Sequence, residues 1–381
     1  QGAFQLLQLS SRAVHLDARQ VGEFHQRAQQ GAHVVQVLQQ TVEKLGITLN
    51  LKTERGRELL ERLVRISDVV SENFASGVMD RLGFGYERLR EIRPDVVYVS
   101  NSGFGATGPY VRFKTWGPIV QAISGLTSTS GLPDREPAGW GYSYMDHTGG
   151  YVMAIAILMA LYHRARTGEG QWVDMSCTEA GATLTGPAIL DWSVNHRPTR
   201  RPGMPDSNRG AWPAMAPHGI YPARGDDRWV AIACRDDADW RAFAGVVDLP
   251  FTRDARFATL DGRLAAQDDL DRDIAAWTRG RDDADTARAL VASGVPASIV
   301  ARPEERIDHD ENTSAWGLWP EVEHGAIGRV RVDGLPVHLS RTDWSLKRGG
   351  PCLGEHNDRV YGDLLGLSAD EIADLRKEGV I

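Results

Sequence analysis

A regular succession of apolar runs and amphipathic stretches between residues 47 and 100 constrains the fold more than any other feature. Residues 47–51 alternate as a short strand does, and residues 68–70 and 95–100 are Val-rich strands. Between the first two strands, Thr53 can cap a helix whose apolar positions fall on one face: Leu59, Leu60, Leu63 and Val64. Strand, helix and strand in units of about thirty residues predict a parallel sheet with helices on its faces. We therefore expect ligands at the carboxyl ends of these strands.

The later sequence predicts a return to this sheet after an intervening domain. A long helix is expected over residues 148–166 and a strand over 172–176, followed by a Pro-rich linker at 196–217. Strands over 228–233 and 295–300 flank helical segments, and Ser368 and Glu371 have the spacing of a capping box. We predict a Rossmann-like large domain from residues 1–200 and 320–381, and a smaller α+β domain from 215–310. The Gln-rich first 40 residues show no clear strand.

Asp146 lies at the start of the predicted long helix. There it would meet backbone N–H groups and the positive end of the helix dipole, which keep a carboxylate ionised and accessible. Such an acid suits a nucleophile better than a general acid. By itself this signal is weak, because an Asp before a helix is usually just a cap.

Composition excludes several classes of function. The formal charge of −8 and the isoelectric point near 5.8 argue against a nucleic-acid partner. The three cysteines lie far apart without metal-binding spacing, which favours a reducing compartment, and we expect a cytoplasmic protein. The apolar run 151–162 is too short to cross a membrane. Residues 308–310 have metal-like types but lack a third separated ligand, so no metal is expected.

Eight short motifs between Leu45 and Ile381 occur in the order typical of one enzyme family. They are residues 47–53, 68–74, 80–83, 102–110, 121–125, 144–150, 167–171 and 353–356. Taken together, they make the chain resemble the class III CoA-transferases, the group of formyl-CoA transferase and carnitine CoA-transferase. The family's usual N-terminal strand and glycine turn are not recognisable in residues 1–42.

The resemblance implies that Asp146 attacks the thioester of an acyl-CoA donor. A mixed anhydride, an aspartyl-CoA thioester and transfer of CoA to an acceptor carboxylate would follow, which is covalent catalysis. Coenzyme A and its esters are then substrates, with no permanently bound cofactor. Gly149 and Gly150 are expected to let the thioester approach the backbone, and His147 to pack or hydrogen-bond locally. The donor and the acceptor acid stay open.

The positions that match the family's CoA contacts are Lys52, Asn73, Phe74, Arg81, Leu82 and Lys114. Lys52, Arg81 and Lys114 would neutralise the phosphates of CoA, while Phe74 is the weakest of the set because a Phe beside a strand is most often core. Trp116, Tyr142 and Tyr144 suggest an aromatic acceptor pocket for a medium-sized or aromatic acid. Formyl-CoA transferase has a Tyr-Glu pair where this chain has Trp116-Gly117, so oxalate is not expected.

Two other functions remain open on the sequence. An α-methylacyl-CoA racemase shares the implied fold, and its Asp would coincide with Asp146, but its His would fall near Trp116, which cannot act as a base. A non-catalytic CoA-binding subunit is the third possibility. The resemblance also implies an interlaced homodimer.

Overall fold

The computed structural model describes residues 6–9, 42–140, 144–210 and 213–381. These residues form two compact units. The larger unit takes its described residues from the chain up to Thr127, from Gly139–Gly186 and from Glu311–Ile381. The smaller unit comprises Ser128–Ala138 and the described part of Pro187–Asp310.

The larger unit contains a four-stranded parallel sheet, as the strand and helix pattern predicts. Its strands are β1 (Leu6–Leu9), β2 (Val69–Glu72), β3 (Val97–Ser102) and β4 (Trp172–Ser176), and they lie in this order. The expectation that the first 40 residues contain no strand is wrong, because Leu6–Leu9 pairs with Val69–Glu72 residue for residue. A strand of four residues beside Gln-rich sequence is too short to show a period-2 pattern.

Among the described residues, three helices lie next to β2 in sequence and cover one face of the sheet. They are α1 (Glu54–Ile66), α2 (Val78–Arg81) and α3 (Tyr86–Ile92). Thr53 caps α1 as predicted, since its hydroxyl oxygen accepts the N–H of Gly56 at 3.0 Å. The buried side chains of these helices pack with Val70 and Tyr98 of the sheet in one apolar cluster, which also contains Leu51, Leu60, Val64, Met79, Phe84, Leu89 and Val96.

In the described part of the chain, the opposite face of the sheet packs against one long helix, α5 (Tyr144–Thr167), which follows the short helix α4 (Gly117–Ile123). Val69, Val97 and Val99 meet Ala160 and Leu161 of α5 there. Helices α6 (Cys177–Leu184) and α7 (Gly186–Asn195) come after β4. The alternation along β2 and β3 therefore buries one set of residues under α1 and α3 and the other set under α5.

Residues 47–51 do not form the predicted strand. Their backbone is instead bonded to the C-terminal part of the chain: Thr48 N–H donates to the side chain of Asn357 at 2.9 Å, and Asn50 N–H donates to the carbonyl of Val380 at 2.8 Å. Partners so distant in sequence satisfy the backbone without a sheet, which a local pattern does not reveal.

The smaller unit contains an antiparallel sheet of β5 (His218–Pro222), β6 (Trp229–Ala233) and β7 (Ala297–Ile299). Helix α7 belongs to this unit from Pro187 on. The other helices of the described part of the unit are α8 (Asp237–Val247), α9 (Leu260–Ala265), α10 (Gln267–Thr278), α11 (Asp283–Ala292) and α12 (Pro303–Asp308). Val230 and Ile232 of β6 pack with Trp240, Phe243 and Phe257 in its apolar core.

The C-terminal part of the larger unit contains α13 (Glu311–Trp316), the hairpin of β8 (Glu321–His324) and β9 (Gly328–Arg331), and α14 (Ala369–Lys377). Ser368 and Glu371 form the predicted capping box of α14. A membrane-spanning helix is not found among the described residues. The chain thus has a mixed α/β fold, and the assignment of domains to residues 1–200, 215–310 and 320–381 stays a prediction.

Candidate active site

The carboxyl edge of the parallel sheet lies where β2, β3 and β4 end at Glu72, Ser102 and Ser176, and the predicted contacts Asn73 and Phe74 directly follow β2 there. The loop after β3 is fixed there by the start of α6, because the backbone N–H and the hydroxyl of Thr178 both donate to the carbonyl of Gly103, at 3.0 and 2.7 Å. This edge is where an open parallel sheet binds its ligands.

Asp146 lies inside the first turn of α5, because the helix begins at Tyr144 rather than at Thr148 as the sequence predicts. Its side chain is exposed, while the preceding Met145 is fully buried in the core beside Val120 and Met175. The N–H groups of a first helical turn have no intrahelical acceptor and carry partial positive charge, so this position favours an ionised carboxylate. The sequence-based placement at the positive end of the helix is retained, although Asp146 does not precede the helix.

The neighbours of α5 place Asp146 close to the ends of β3 and β4. Cys177, the first residue after β4, donates its S–H to the side-chain oxygen of Asn101 in β3 at 2.9 Å. Burial raises the pKa of the Cys177 thiol to about 11, and the negative charge of Asp146 adds to the rise. At this pKa the thiol is neutral at physiological pH, so it is a packing group and not a second nucleophile.

Gly149 serves a different purpose from the one expected of it. A Cβ at this position would lie 2.9 Å from Cys177 Sγ and 3.3 Å from Met175 Cε. The missing side chain therefore lets α5 pack closely against the end of β4 and does not leave room for a thioester. Gly150 has open space around its Cβ position, so the expected close approach of a ligand remains possible only there.

His147 is half-buried. Its charge lowers the pKa of Asp333, although burial of Asp333 raises that pKa by more. The expectation that His147 packs or hydrogen-bonds locally stays a prediction.

The three predicted phosphate-binding cations are all exposed. Among the described residues, Lys52, Arg81 and Lys114 form no ion pair. Arg81 lies beside the loop after β2, since its guanidinium is 3.2 Å from the position of a Cβ on Gly77. Lys114 precedes Thr115, whose side chain contacts Gly103 at the end of β3. Cations in this state are available to an anionic ligand.

The other predicted CoA contacts follow β2 and α2. Asn73 is exposed, whereas Phe74 and Leu82 are half-buried and pack against the apolar cluster under α1 and α3. The packing of Phe74 fits the core role that the sequence allows for it, while its backbone stays at the carboxyl edge.

Two of the three predicted acceptor-pocket residues are described, and Tyr142 lies outside the described residues. Trp116 precedes α4 and is 64 % exposed. Tyr144 begins α5 and packs edge-on against Trp140, with ring centroids 4.6 Å apart. An aromatic surface is therefore present at the start of the helix that carries Asp146. Clusters of metal-binding residues are not found in the described part of the chain, and this includes residues 308–310.

Sequence reasoning missed Glu72, Tyr98 and Asn101, which hold the carboxyl edge together. Glu72 is a charged residue at the end of a Val-rich strand, and that position is the one local sign that it has a special role. The bonds of Tyr98 to Glu72 and of Cys177 to Asn101 join residues 26 and 76 apart, which no local pattern predicts.

Known proteins are similar to this chain in sequence and in fold. The sequence profile of CoA-transferase family III matches residues 11–357. A succinyl-CoA–D-citramalate CoA-transferase of Chloroflexus aurantiacus is 33 % identical over 340 residues, which cover 89 % of this chain and 82 % of that protein. A formyl-CoA:oxalate CoA-transferase of Streptomyces coelicolor is 32 % identical over 350 residues, which cover 89 % and 84 %. The crystal structure of a CAIB/BAIF family protein from Brucella suis is similar with a TM-score of 0.77 at 31 % identity, covering 85 % and 82 %. The profile match begins well before Leu45, where the motifs begin.

Proposed function

The chain belongs to CoA-transferase family III and is a CoA-transferase of this class, and on that premise we propose that Asp146 is the nucleophile that carries CoA from an acyl-CoA donor to a carboxylic acid. The observation that carries the proposal is the position of Asp146. It is an exposed acid in the first turn of α5, beside residues that end two strands of the parallel sheet.

The exchange proceeds in four displacements at carbonyl carbons and needs neither an oxidant nor a net proton. A carboxylate oxygen of Asp146 attacks the donor thioester, the C–S bond breaks, and CoA thiolate leaves behind a mixed anhydride. The thiolate attacks the aspartyl carbonyl, so the C–O bond breaks and the donor acid leaves. The acceptor carboxylate then attacks the aspartyl thioester and releases CoA thiolate, which finally attacks the acceptor's acyl carbonyl and regenerates Asp146.

The local structure supports the two requirements of these reaction steps, an ionised Asp146 and cations for CoA. Asp146 has to be ionised to attack, and the N–H groups of the first helical turn favour its charged form. The polyanionic CoA needs cations, and Lys52, Arg81 and Lys114 are exposed and form no ion pair among the described residues. We propose that these cations, with Asn73, Phe74 and Leu82, bind the CoA part of both thioesters.

The substitution Asp146→Asn tests the nucleophile. We expect the turnover number to fall by about 1,000-fold or more, because an uncharged amide oxygen does not form the anhydride. After incubation with acyl-CoA, mass spectrometry of the unchanged protein should show an adduct on Asp146 that hydroxylamine removes. The matched control Glu169→Gln removes an exposed acid after the same helix and should leave both measurements unchanged.

The same assay separates the alternatives. Exchange of the α-proton of the acyl group without an adduct would overturn the proposal in favour of a racemase. Binding of CoA with neither proton exchange nor an adduct would indicate that the protein is a non-catalytic CoA-binding subunit. An adduct that persists in Asp146→Asn would show that another residue is the nucleophile.

The acceptor is proposed to be a medium-sized or aromatic acid. Trp116 and Tyr144 present aromatic surface near Asp146, and Tyr142 is predicted to join them. Relatives at about one-third identity are named for acceptors as different as D-citramalate and oxalate, so identity alone does not select one. Turnover of oxalate or formate alone, in a screen of acids, would contradict the proposal.

Self-association as an interlaced homodimer is proposed on the exposed apolar stripe of α5. Tyr151, Ile155, Leu158, Met159 and Tyr162 recur at helical spacing and are all exposed, a pattern that favours burial against a partner. Sedimentation showing a stable monomer at micromolar concentration would contradict it. A cytoplasmic location is proposed because Cys177, Cys234 and Cys352 are free thiols.

A further inference from the structure

Glu72, the last residue of β2, has a buried carboxylate that joins two parts of the carboxyl edge. The side chain is 7 % exposed. Its Oε1 accepts the hydroxyl of Tyr98 in β3 at 2.9 Å, and its Oε2 accepts the backbone N–H of Phe74 at 2.6 Å. One end of the carboxylate is therefore bonded to the sheet, and the other to the loop that follows β2.

This carboxylate has no counter-ion, since Glu72 forms no ion pair among the described residues. Burial raises its pKa, and the charges of Asp80 and Asp174 raise it further, against the two hydrogen bonds that lower it. A buried acid in this state costs stability relative to an apolar side chain of similar size. Stability of the fold therefore does not account for a glutamate here.

On the sheet, the Tyr98 side chain that donates to Glu72 is itself held by its neighbours. The ring of Tyr98 packs in a triangular cluster with those of Tyr86 and Trp172, whose centroids are 6.3 and 6.2 Å from it and 6.1 Å from each other. Trp172 is held in turn, because its indole N–H donates to the hydroxyl of Ser100 at 2.9 Å. The carboxylate of Glu72 therefore fixes the backbone of Phe74 relative to the sheet.

We propose that Glu72 is a positioning residue, which holds Asn73 and Phe74 in the conformation that receives CoA. The inference rests on the proposed function, because it takes these two residues as CoA contacts. Glu72 lies on the face of the sheet opposite α5, so it acts on binding of the CoA thioester and not on the attack by Asp146. Removing its bonds should therefore raise the KM for acyl-CoA and leave the turnover number and the KM for the acid unchanged.

Three substitutions remove the bonds in steps. Tyr98→Phe removes the bond to the sheet, Glu72→Gln keeps a single acceptor oxygen, and Glu72→Leu removes both bonds while filling the space. We expect the KM for acyl-CoA to rise by about 3- to 10-fold in Tyr98→Phe and by about 10- to 100-fold in Glu72→Leu, with Glu72→Gln between them. The affinity for free CoA, measured by titration calorimetry, should fall in the same order.

The control is Glu91→Gln, the same change at an exposed acid of α3 that pairs with Arg88, and it should leave every value unchanged. Equal rises in the KM for acyl-CoA and for the acid, or lower thermal stability with an unchanged KM, would overturn the inference and make Glu72 a structural residue. If Glu72→Leu does not fold, Tyr98→Phe and Glu72→Gln decide the question. A wild-type protein that neither binds CoA nor transfers it would instead refute the proposed function itself.

Discussion

At the amino edge of the parallel sheet, charged side chains neutralise one another, whereas at the carboxyl edge they are exposed or are buried without a counter-ion. At the amino edge, Asp68 accepts hydrogen bonds from Arg93 and Arg164, both at 2.9 Å, and Asp95 accepts one from Arg93 at 3.0 Å. At the carboxyl edge, Asp146 and Arg81 are exposed, and the donors that bond Glu72 among the described residues are neutral.

Helix α5 connects the two edges and shows the difference along its own length. Its 24 residues begin with Asp146 in the first turn and end with Arg164 in the last turn. Each charge complements the helix dipole, which is positive at the first turn and negative at the last. Arg164 is nevertheless half-buried and paired, while Asp146 is exposed. Burial thus distinguishes the charge that stabilises this unit from the charge that is accessible to a ligand.

The largest effect is expected from Arg164→Met at the amino edge. The guanidinium donates to the carboxylate and the carbonyl of Asp68 and to the carbonyl of Asp95, and its side chain is 10 % exposed. Without Arg164, the poorly hydrated carboxylate of Asp68 and the carbonyls of Asp68 and Asp95 each lose a hydrogen-bond donor. The free energy of unfolding, measured by urea denaturation, should fall by about 2–4 kcal/mol, with no change in the KM for acyl-CoA at low temperature.

The matched control for Arg164→Met is Arg166→Met. Arg166 lies two residues further along the same helix but is exposed and donates to the hydroxyl of Tyr162. We expect a change within about 0.5 kcal/mol. Equal losses in the two variants would break the comparison between the edges, because burial and pairing would then not decide the contribution of a cation.

An intermediate effect is expected from Arg81→Ala at the carboxyl edge. Because Arg81 is exposed and has no ion pair among the described residues, its loss should not alter stability. If it binds a phosphate of CoA, the KM for acyl-CoA should rise by about 5- to 30-fold, equivalent to about 1–2 kcal/mol. The dependence of KM on salt concentration should also weaken.

Arg288→Ala is the control for Arg81→Ala, because Arg288 is an exposed cation in the smaller unit that pairs with Asp285 at 2.7 Å. Its KM for acyl-CoA should equal that of the wild type. A loss of stability in Arg81→Ala without a change in KM would show that this cation is structural after all.

The parallel sheet could be predicted from the sequence because β2, β3 and β4 are Val-rich or flanked by helices with one apolar face. Such patterns are local and follow from side-chain period alone. Residues 47–51 show the limit of this reasoning, because they alternate as a strand but bond to Asn357 and Val380, more than 300 positions away. Leu6–Leu9 shows the opposite limit, because it is a strand too short to be recognised.

For the site, the residue types and their order along the chain indicate the chemistry, but the environment of each residue requires the fold. Asp146 and the three cations follow from the family resemblance. The sequence does not show that Gly149 is needed for packing against Cys177, or that Glu72 is buried and bonded to Tyr98. Both depend on which strands become neighbours, and hence on contacts between distant residues.

The smallest effect is a difference in how the two edges respond to pH. The hydrogen bond from Arg93 holds the pKa of Asp95 below its ordinary value of 3.8, whereas burial raises the pKa of Glu72 above its ordinary value of 4.5. As the pH falls, Asp95 therefore becomes protonated in the unfolded chain before it does in the folded chain. The stability that Asp95 contributes is complete above pH 3.8 and is lost as the pH falls through its folded pKa. For Glu72 the order is reversed, because the folded chain binds the proton at a higher pH than the unfolded chain. The stability that protonated Glu72 contributes is therefore lost as the pH rises from 4.5 through the raised pKa.

Asp95→Asn and Glu72→Gln should therefore change the pH profile of stability in opposite ways. Urea denaturation at several pH values between about 3 and about 7 gives the slope of the unfolding free energy in each variant. Asp95→Asn should flatten the rise below pH 3.8, and Glu72→Gln should remove the decline above pH 4.5. Slopes are the informative quantity, because each substitution also removes hydrogen bonds and lowers stability at every pH. A change of slope in the same direction in both variants would show that the two edges hold their acids in the same way, against the comparison drawn from their contacts.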